Sequence, residues 1–146
     1  MIQRIQSVWL FLAAMLCGLL FIMKLYAVDV PSLMGIAHQP YGVRDAGHVG
    51  LFIMAGIITV LPLVAIFFYG NRARQKGLVW LSILGVLGFM MMALMKITGV
   101  EAQNPGPQVT YSFGLLVPVV ALIFMILAVA GIRKDEKLIK SLDRLR

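Results

Sequence analysis

The sequence predicts an all-α membrane protein built from four transmembrane helices. Apolar residues make up 61% of the chain and charged residues only 13%, and the mean hydropathy is +0.95. A soluble domain carries about 25% charged residues, and the apolar residues here come in long blocks rather than on alternating faces. Lipid offers no partner to an unpaired backbone N–H or C=O, so these blocks are expected to be helices.

Four blocks come close to the roughly 20 apolar residues that a spanning helix needs. The chain is treated as one membrane domain, with spans at about 7–28, 49–69, 78–96 and 113–132, outer loops at 29–48 and 97–112, a cytoplasmic loop at 70–77 and a cytoplasmic tail at 133–146. The first block is expected to be a retained helix rather than a cleaved signal. A lipoprotein signal is not expected, because Leu16 precedes the lone Cys17 where a small residue is needed.

The distribution of charge predicts the orientation of the spans. Ten of the 13 lysines and arginines lie on one side: at Arg4, in the loop 70–77 and in the tail. The other side has a balanced set of charges, namely Lys24, Arg44, Lys96, Asp29, Asp45 and Glu101. The positive-inside rule therefore predicts a multi-pass protein of the bacterial inner (plasma) membrane with both termini in the cytoplasm. Trp9 and Trp80 fall near the cytoplasmic helix ends, where aromatic belts form.

The spans also show an internal similarity. "VWLFLAAMLCGLLFIMK" (8–24) resembles "VWLSILGVLGFMMMALMK" (79–96), and "VLPLVAIFFYGNR" (60–72) resembles "LVPVVALIFMILAVAGIR" (116–133). This pattern indicates two tandem helical hairpins, although chance similarity between membrane helices is the alternative. Pro62 and Pro118 are expected to bend their helices, either as packing features or as part of a transport path.

Few residues in the spans offer chemistry. No ionisable side chain falls near a span midplane, which does not favour a pump or carrier. His38 and His48 are interpreted as ordinary loop residues rather than metal ligands, and Met91 and Met95 as packing residues rather than a Cu(I) site. We therefore predict no catalytic residue, no cofactor and no metal. Short β-prone segments at 27–30 and 108–111 are candidates to pair as a cap on the outer face.

The tail changes from an apolar to an amphipathic pattern. Leu138, Leu142 and Leu145 follow one helical stripe, so an amphipathic C-terminal helix is predicted. It has three possible environments: the cytoplasmic leaflet, the underside of the bundle, or an acidic partner such as ribosomal RNA. The candidate partner or lipid contacts are Arg72, Arg74, Lys76, Arg133, Lys134, Lys137, Leu138, Lys140, Leu142, Arg144, Leu145 and Arg146.

The two ends of the chain carry a family resemblance. The start "MIQRIQ" and the ending "GIRKDEKLIKSLDRLR", joined by four spans, resemble a bacterial family of small integral membrane proteins of unknown function. The resemblance implies a four-helix inner-membrane protein, but it supplies no activity, cofactor or catalytic residue.

These observations favour a non-enzymatic accessory or structural subunit of a larger envelope membrane complex, surrounded by lipid and by other membrane-protein subunits. One alternative is a small transporter or channel with a path shaped by Pro62 and Pro118. Another is a membrane-side docking protein for a ribosome or nucleic acid, which would bind through the basic face.

Overall fold

The structure is a computed structural model that describes residues 3–32, 35–45, 47–103 and 108–143, with side chains placed for 5–30, 35–45, 47–102 and 108–137. It has four helices: α1 (Gln3–Leu19), α2 (Val49–Phe67), α3 (Arg72–Gln103) and α4 (Leu116–Asp143). It also has a three-stranded sheet of β1 (Lys24–Ser32), β2 (Gly35–Gly42) and β3 (Val109–Tyr111). The prediction of an all-α protein is therefore wrong in one respect, because the outer segments form a sheet.

The helices form a four-membered ring. α1 packs against α2 and α4, and α3 contacts the same two helices from the opposite side. The start of α1 lies beside the end of α4, where the Gln6 side chain donates a hydrogen bond to Asp135. Consecutive helices therefore run in opposite directions, as in an up-down-up-down bundle.

Three helices are long and apolar enough to cross a membrane: 49–67, 72–102 and 113–137. The apolar part of α1, Ile5–Leu19, is shorter than these three. The predicted extension of the first span to Val28 is wrong, because the chain turns after Leu19 and enters β1 at Lys24. The β-branched and aromatic residues of "YAVDV" fit a strand better than a helix.

On each helix, one stripe of buried side chains recurs at alternating spacings of four and three residues. This heptad spacing produces a seam like that of a left-handed coiled coil. The residues are Gln6, Leu10, Ala13, Cys17 and Leu20 from the first helical segment; Leu51, Ala55, Ile58, Pro62 and Ala65; Gln75, Val79, Ser82, Val86, Phe89 and Ala93; and Pro118, Ala121, Met125, Ala128, Ile132 and Asp135. Many of them are small, which allows the helix backbones to approach closely.

The outer surface of the bundle is apolar on every helix. Phe11, Ile57, Leu84 and Ile123 are examples, and each is about half exposed. A soluble monomer does not normally expose apolar surface around its whole circumference. Lipid, or the apolar surface of another membrane protein, is the environment that such side chains fit.

The sheet has the order β2–β1–β3 and is antiparallel throughout. The predicted pairing of 27–30 with 108–111 is confirmed, because Ala27 is opposite Thr110 and Val28 is opposite Val109. β2 was not predicted, since its sequence "GIAHQPYG" combines two glycines and a proline with little alternation. It forms by folding back on β1, with Val28 opposite Gln39 and Ser32 opposite Gly35.

A close backbone approach joins the sheet to α4. Gly114 lies in a single 3-10 turn, Phe113–Leu115, that leads into α4. A Cβ atom at Gly114 would overlap the backbone carbonyl of Lys24, at the start of β1. The Ser112 N–H also donates to the Leu25 carbonyl at 3.0 Å. Glycine is therefore required here because of space, which holds the start of α4 against the sheet.

α4 runs without interruption to Asp143, so the tail begins as part of the fourth helix rather than as a separate one. The 28-residue helix is about 42 Å long. No proline falls between Gly131 and Asp143, so the backbone hydrogen bonds continue past the apolar segment. Residues 144–146 lie outside the described part of the chain.

The similarity between the second and fourth spans is matched by their burial. Pro62 and Pro118 are both buried, and so are Ala65 and Ala121, three residues further along. Both prolines contribute to the packed seam of the bundle. Equivalent residues therefore occupy equivalent positions in these two helices.

The similarity between the first and third spans does not match in this way. Leu10 of the first "VWL" is fully buried, whereas Leu81 of the second is half exposed. The burial patterns agree only when Gln6 is aligned with Gln75, an offset two residues smaller than that of the repeated letters. The tandem-hairpin interpretation stays a prediction. Under that interpretation, α3 is rotated about its axis relative to α1, and the sequence similarity does not show this rotation.

Candidate functional surfaces

We call one end of the bundle the basic end. It consists of the start of α1, the turn between α2 and α3, the first turns of α3, and the part of α4 that begins at Arg133. The Gln6 amide donates to the Asp135 carboxylate, and both side chains are buried. The Arg72 guanidinium donates to the Asp135 carbonyl at 3.3 Å. Lys76 forms a salt bridge with Glu136, with a 2.9 Å distance from Nζ to Oε2. Two of the predicted contact residues, Arg72 and Lys76, therefore hold helices together.

Aromatic contacts add to the basic end. The Arg133 guanidinium lies 5.8 Å from the ring centroid of Trp80, which is half exposed on α3. Trp9 stacks on Phe124 with a centroid distance of 5.4 Å, joining α1 to α4. A cation over an indole face contributes about 0.5–1 kcal/mol at an exposed site. Arg133 is therefore engaged with its own chain as well as exposed.

The remaining predicted contacts are more accessible. Arg74, Lys134 and Lys137 are exposed. The backbone N–H of Arg74, in the first turn of α3, donates to Oδ1 of Asn71 at 3.2 Å, so the Asn71 side chain caps the helix. Leu138, Lys140 and Leu142 lie on the helical backbone of α4, while Arg144, Leu145 and Arg146 lie outside the described residues. Among the side chains that the structure describes, fewer cations are available to a partner than were predicted, because Arg72, Lys76 and Arg133 contact their own chain.

The opposite end, which we call the head, consists of the three strands and residues 43–45, 47 and 48. Tyr26 of β1 is almost fully buried, stacks on Tyr41 at 5.4 Å, and places its hydroxyl 2.9 Å from Nε2 of His48. Burial raises the pKa of the Tyr26 hydroxyl, so it remains protonated. The Nδ1 atom of His48 is buried and has no hydrogen-bond partner among the described residues.

Side-chain contacts between polar and charged residues link the segments of the head. His38 Nδ1 lies 2.6 Å from the Asp29 carboxylate, directly across the β1–β2 pair. Lys24 Nζ lies 3.0 Å from the Asp45 carboxylate, which also accepts the Gly42 N–H. The hydrogen bond from the Gly42 N–H, and to a smaller extent the positive charge of Lys24, hold the pKa of Asp45 below its ordinary value.

The geometry does not assemble a metal site from these residues. His38 and His48 have different partners, Asp29 and Tyr26, and the described residues contain no group of three His, Cys, Asp or Glu side chains suited to a metal. Met91 and Met95 are both exposed on the apolar outer side of α3. Their position fits apolar packing against lipid or a neighbouring protein.

Comparison with known families agrees with the resemblance at the chain ends. Residues 2–145 match the family described as Domain of unknown function (DUF4293). The chain belongs to the DUF4293 family. No curated protein and no solved structure matches this DUF4293 chain. The expectation of a family without a known activity is confirmed, and the family therefore assigns no role to any residue.

Sequence reasoning missed most of the contacts that organise this DUF4293 member. Tyr26, Tyr41 and His48 are separated along the chain and match no motif, so only the β1–β2 fold-back brings them together. A signal was present at the basic end, where Gln6 and Asp135 stand at buried heptad positions among apolar residues. Polar residues at such positions are candidates for pairing across helices.

Proposed function

We propose that this DUF4293 protein is a non-enzymatic membrane subunit that works by association with other membrane proteins in a larger envelope complex. The supporting observation is the apolar filling of the bundle. Between the head and the basic end, the buried seam consists of side chains such as Ala55, Ile58, Val86 and Met125. A protein with such an interior has its specificity on its surfaces.

Two hydroxyl groups within the described spans donate hydrogen bonds to their own helices. Ser82 is fully buried and donates to the Leu78 carbonyl of its own helix at 2.8 Å, and Thr59 donates likewise to Ala55 at 2.7 Å. Among the described residues, Asp135 is the buried acidic side chain, and it lies at the basic end with Gln6 as its partner. Transport normally places ionisable groups near mid-membrane, so this interior favours association over transport.

The proposal includes a topology. The 15-residue apolar helix Ile5–Leu19, extended by the turn to Met23, forms the remaining span, which is the first in chain order. The basic end faces the cytoplasm and the head faces outward, because positively charged loops are retained inside. In this arrangement the protein lies in the bacterial inner membrane, with lipid or partner helices around its apolar perimeter.

Two polar surfaces remain for recognition. At the basic end these are the exposed side chains of Arg74, Lys134 and Lys137. At the head, β2 is an edge strand whose second side is not paired with either of the other strands. Its outward residues are mostly exposed, including Ile36 and Gln39. Surface charges and strand edges are common determinants of partner choice.

Mild extraction tests the proposal. The tagged chain is solubilised in a gentle detergent or a membrane-active polymer, purified by affinity, and analysed by native electrophoresis and mass spectrometry. We expect it to migrate with other membrane proteins in fixed proportion. Recovery only as a monomer or a homo-oligomer under every mild condition would contradict an accessory role.

A matched pair of variants locates the partner surface. Arg74→Glu, Lys134→Glu and Lys137→Glu together reverse the exposed charge of the basic end. Arg74→Lys, Lys134→Arg and Lys137→Arg together keep it. Loss of the partner with the first set and retention with the second assigns the contact to this end, since rim charges steer association.

A further inference from the structure

A half-open pocket lies where α1 meets the head. Its volume is about 350 Å³. It is lined by residues 21–24, which are the turn after α1 and the first residue of β1, and by residues 42–45, which are the last residue of β2 and the three that follow it. The turn supplies apolar side chains, Phe21, Ile22 and Met23, while Lys24, Arg44 and Asp45 supply charge. The pocket is therefore apolar on one wall and polar on the other.

The polar wall carries an excess of positive charge. Lys24 is held by Asp45 at 3.0 Å, and both belong to the lining. Arg44 is exposed on the same wall, and among the described residues no carboxylate lies within salt-bridge distance of it. Its guanidinium lies 5.9 Å from the ring centroid of Phe21. With two cations and one carboxylate, the pocket is suited to a single negative charge.

The pocket lies at the boundary between the apolar bundle and the polar head. Ile22, in its lining, is 75% exposed. Phe113, just before α4, is 80% exposed, and Val49, the first residue of α2, is 68% exposed. These three side chains mark the level at which the apolar perimeter ends. A ligand in the pocket can therefore contact the guanidinium and lipid-facing side chains together.

We propose that this pocket binds the phosphate of an anionic membrane phospholipid. Arg44 donates to the phosphate oxygens through its planar fork, which matches phosphate geometry. Lys24 is the second donor, and an acyl chain lies along Ile22 and Phe21. A free phosphate ion would leave this apolar wall in contact with water, so the lining favours a lipid. The inference does not depend on the proposed accessory role, only on insertion in a membrane.

The test uses the full chain, purified, delipidated and titrated with phosphatidylglycerol or phosphatidylcholine in a neutral detergent, with bound lipid counted by native mass spectrometry. We expect preferential binding of one phosphatidylglycerol. Arg44→Gln is expected to weaken it about tenfold or more, because a charge-assisted hydrogen bond is lost. Lys96→Gln is the matched control, since it removes one positive charge from the head side but lies outside the pocket lining. Equal weakening by both variants, or equal binding of the two lipids, overturns the proposal.

Two further arms distinguish the source of the phosphate and protect against misfolding. Inorganic phosphate is expected to compete poorly, and displacement of the lipid by phosphate at equal concentration overturns the lipid assignment. Ile22→Ser is expected to weaken lipid binding while leaving any phosphate binding unchanged. Thermal unfolding of each variant is measured in parallel. If Arg44→Gln does not fold, Arg44→Lys carries the test, because it keeps the charge and loses the fork; unchanged lipid affinity in that variant overturns the proposal.

Discussion

Tyr26 and His48 are a buried polar pair. The contribution of each side chain to the free energy of unfolding can be measured with single and double variants. Their 2.9 Å contact satisfies Nε2 of His48, while Nδ1 has no partner among the described residues. A buried polar atom without a hydrogen bond costs about 1–3 kcal/mol. The pair therefore stabilises the head only while both of its members are present.

Tyr26→Phe is expected to lower the free energy of unfolding by about 1–3 kcal/mol, because both ring nitrogens of His48 then lack a partner. The double variant Tyr26→Phe, His48→Phe is expected to be more stable than Tyr26→Phe alone, since the unpaired atoms are removed. Denaturation in a fixed detergent measures both. Additive losses in the double variant would contradict coupling between the two side chains.

The ionisation of Asp45 is expected to make the stability of the head depend on pH. Its folded-state pKa is lowered, first by the Gly42 N–H and then by Lys24, relative to about 3.9 in an unfolded chain. Its contribution to stability is present above the unfolded value and is lost as the pH falls through the lower folded value. We expect the protection of β1 and β2 amides from exchange, measured relative to the intrinsic exchange rate at each pH, to fall below about pH 4. Asp45→Asn should show faster exchange at neutral pH and a weaker acid response; an unchanged acid response would assign the transition to another group.

The elements show what the sequence could and could not predict. Apolar blocks and charge predicted four helices and their alternating direction, and β-branched segments predicted the β1–β3 pairing. β2 escaped prediction because its own residues include two glycines and a proline and show little alternation, although they pair with β1 along the strand. The inward face of each helix also escaped, because an apolar residue facing lipid and one facing a helix look alike in sequence. Only the small and polar residues at heptad spacing mark the inward face.

The junction of β1 with the start of α4 gives a prediction at this scale. Gly114→Ala is expected to destabilise the protein by about 1–3 kcal/mol, because the added methyl group meets the Lys24 backbone, which cannot move aside cheaply. Gly56→Ala is the matched control, since the space beside Gly56 is open. There the change should be neutral or stabilising by up to about 1 kcal/mol, as expected inside a helix. Similar unfolding midpoints for the two variants would argue against a tight junction.

The whole molecule is fastened at both ends. At the head, β1 from the first hairpin pairs with β3 from the second. At the basic end, Gln6 from the first hairpin pairs with Asp135 from the second. Between these points lies the apolar seam of the bundle. The two ends are thus the places where the hairpins are specifically matched.

Membrane topology is testable on this whole-molecule scale. In a Cys17→Ala background, Gln39→Cys in the head and Arg74→Cys at the basic end are both exposed positions. A membrane-impermeant maleimide is expected to label position 39 in intact cells and position 74 only after permeabilisation, because the basic end is predicted to stay inside. The reverse labelling pattern would invert the proposed orientation.

Fastening at both ends has a mechanical consequence. Rocking one hairpin against the other would require breaking the β1–β3 pairing or the Gln6–Asp135 hydrogen bond. While both contacts hold, the two hairpins are expected to move together as one rigid body. In the proposed topology, a partner that tilts the sheet on the outer side would tilt Arg74 and Lys137 on the cytoplasmic side by the same angle, and so would transmit a displacement across the bilayer without a change in internal structure.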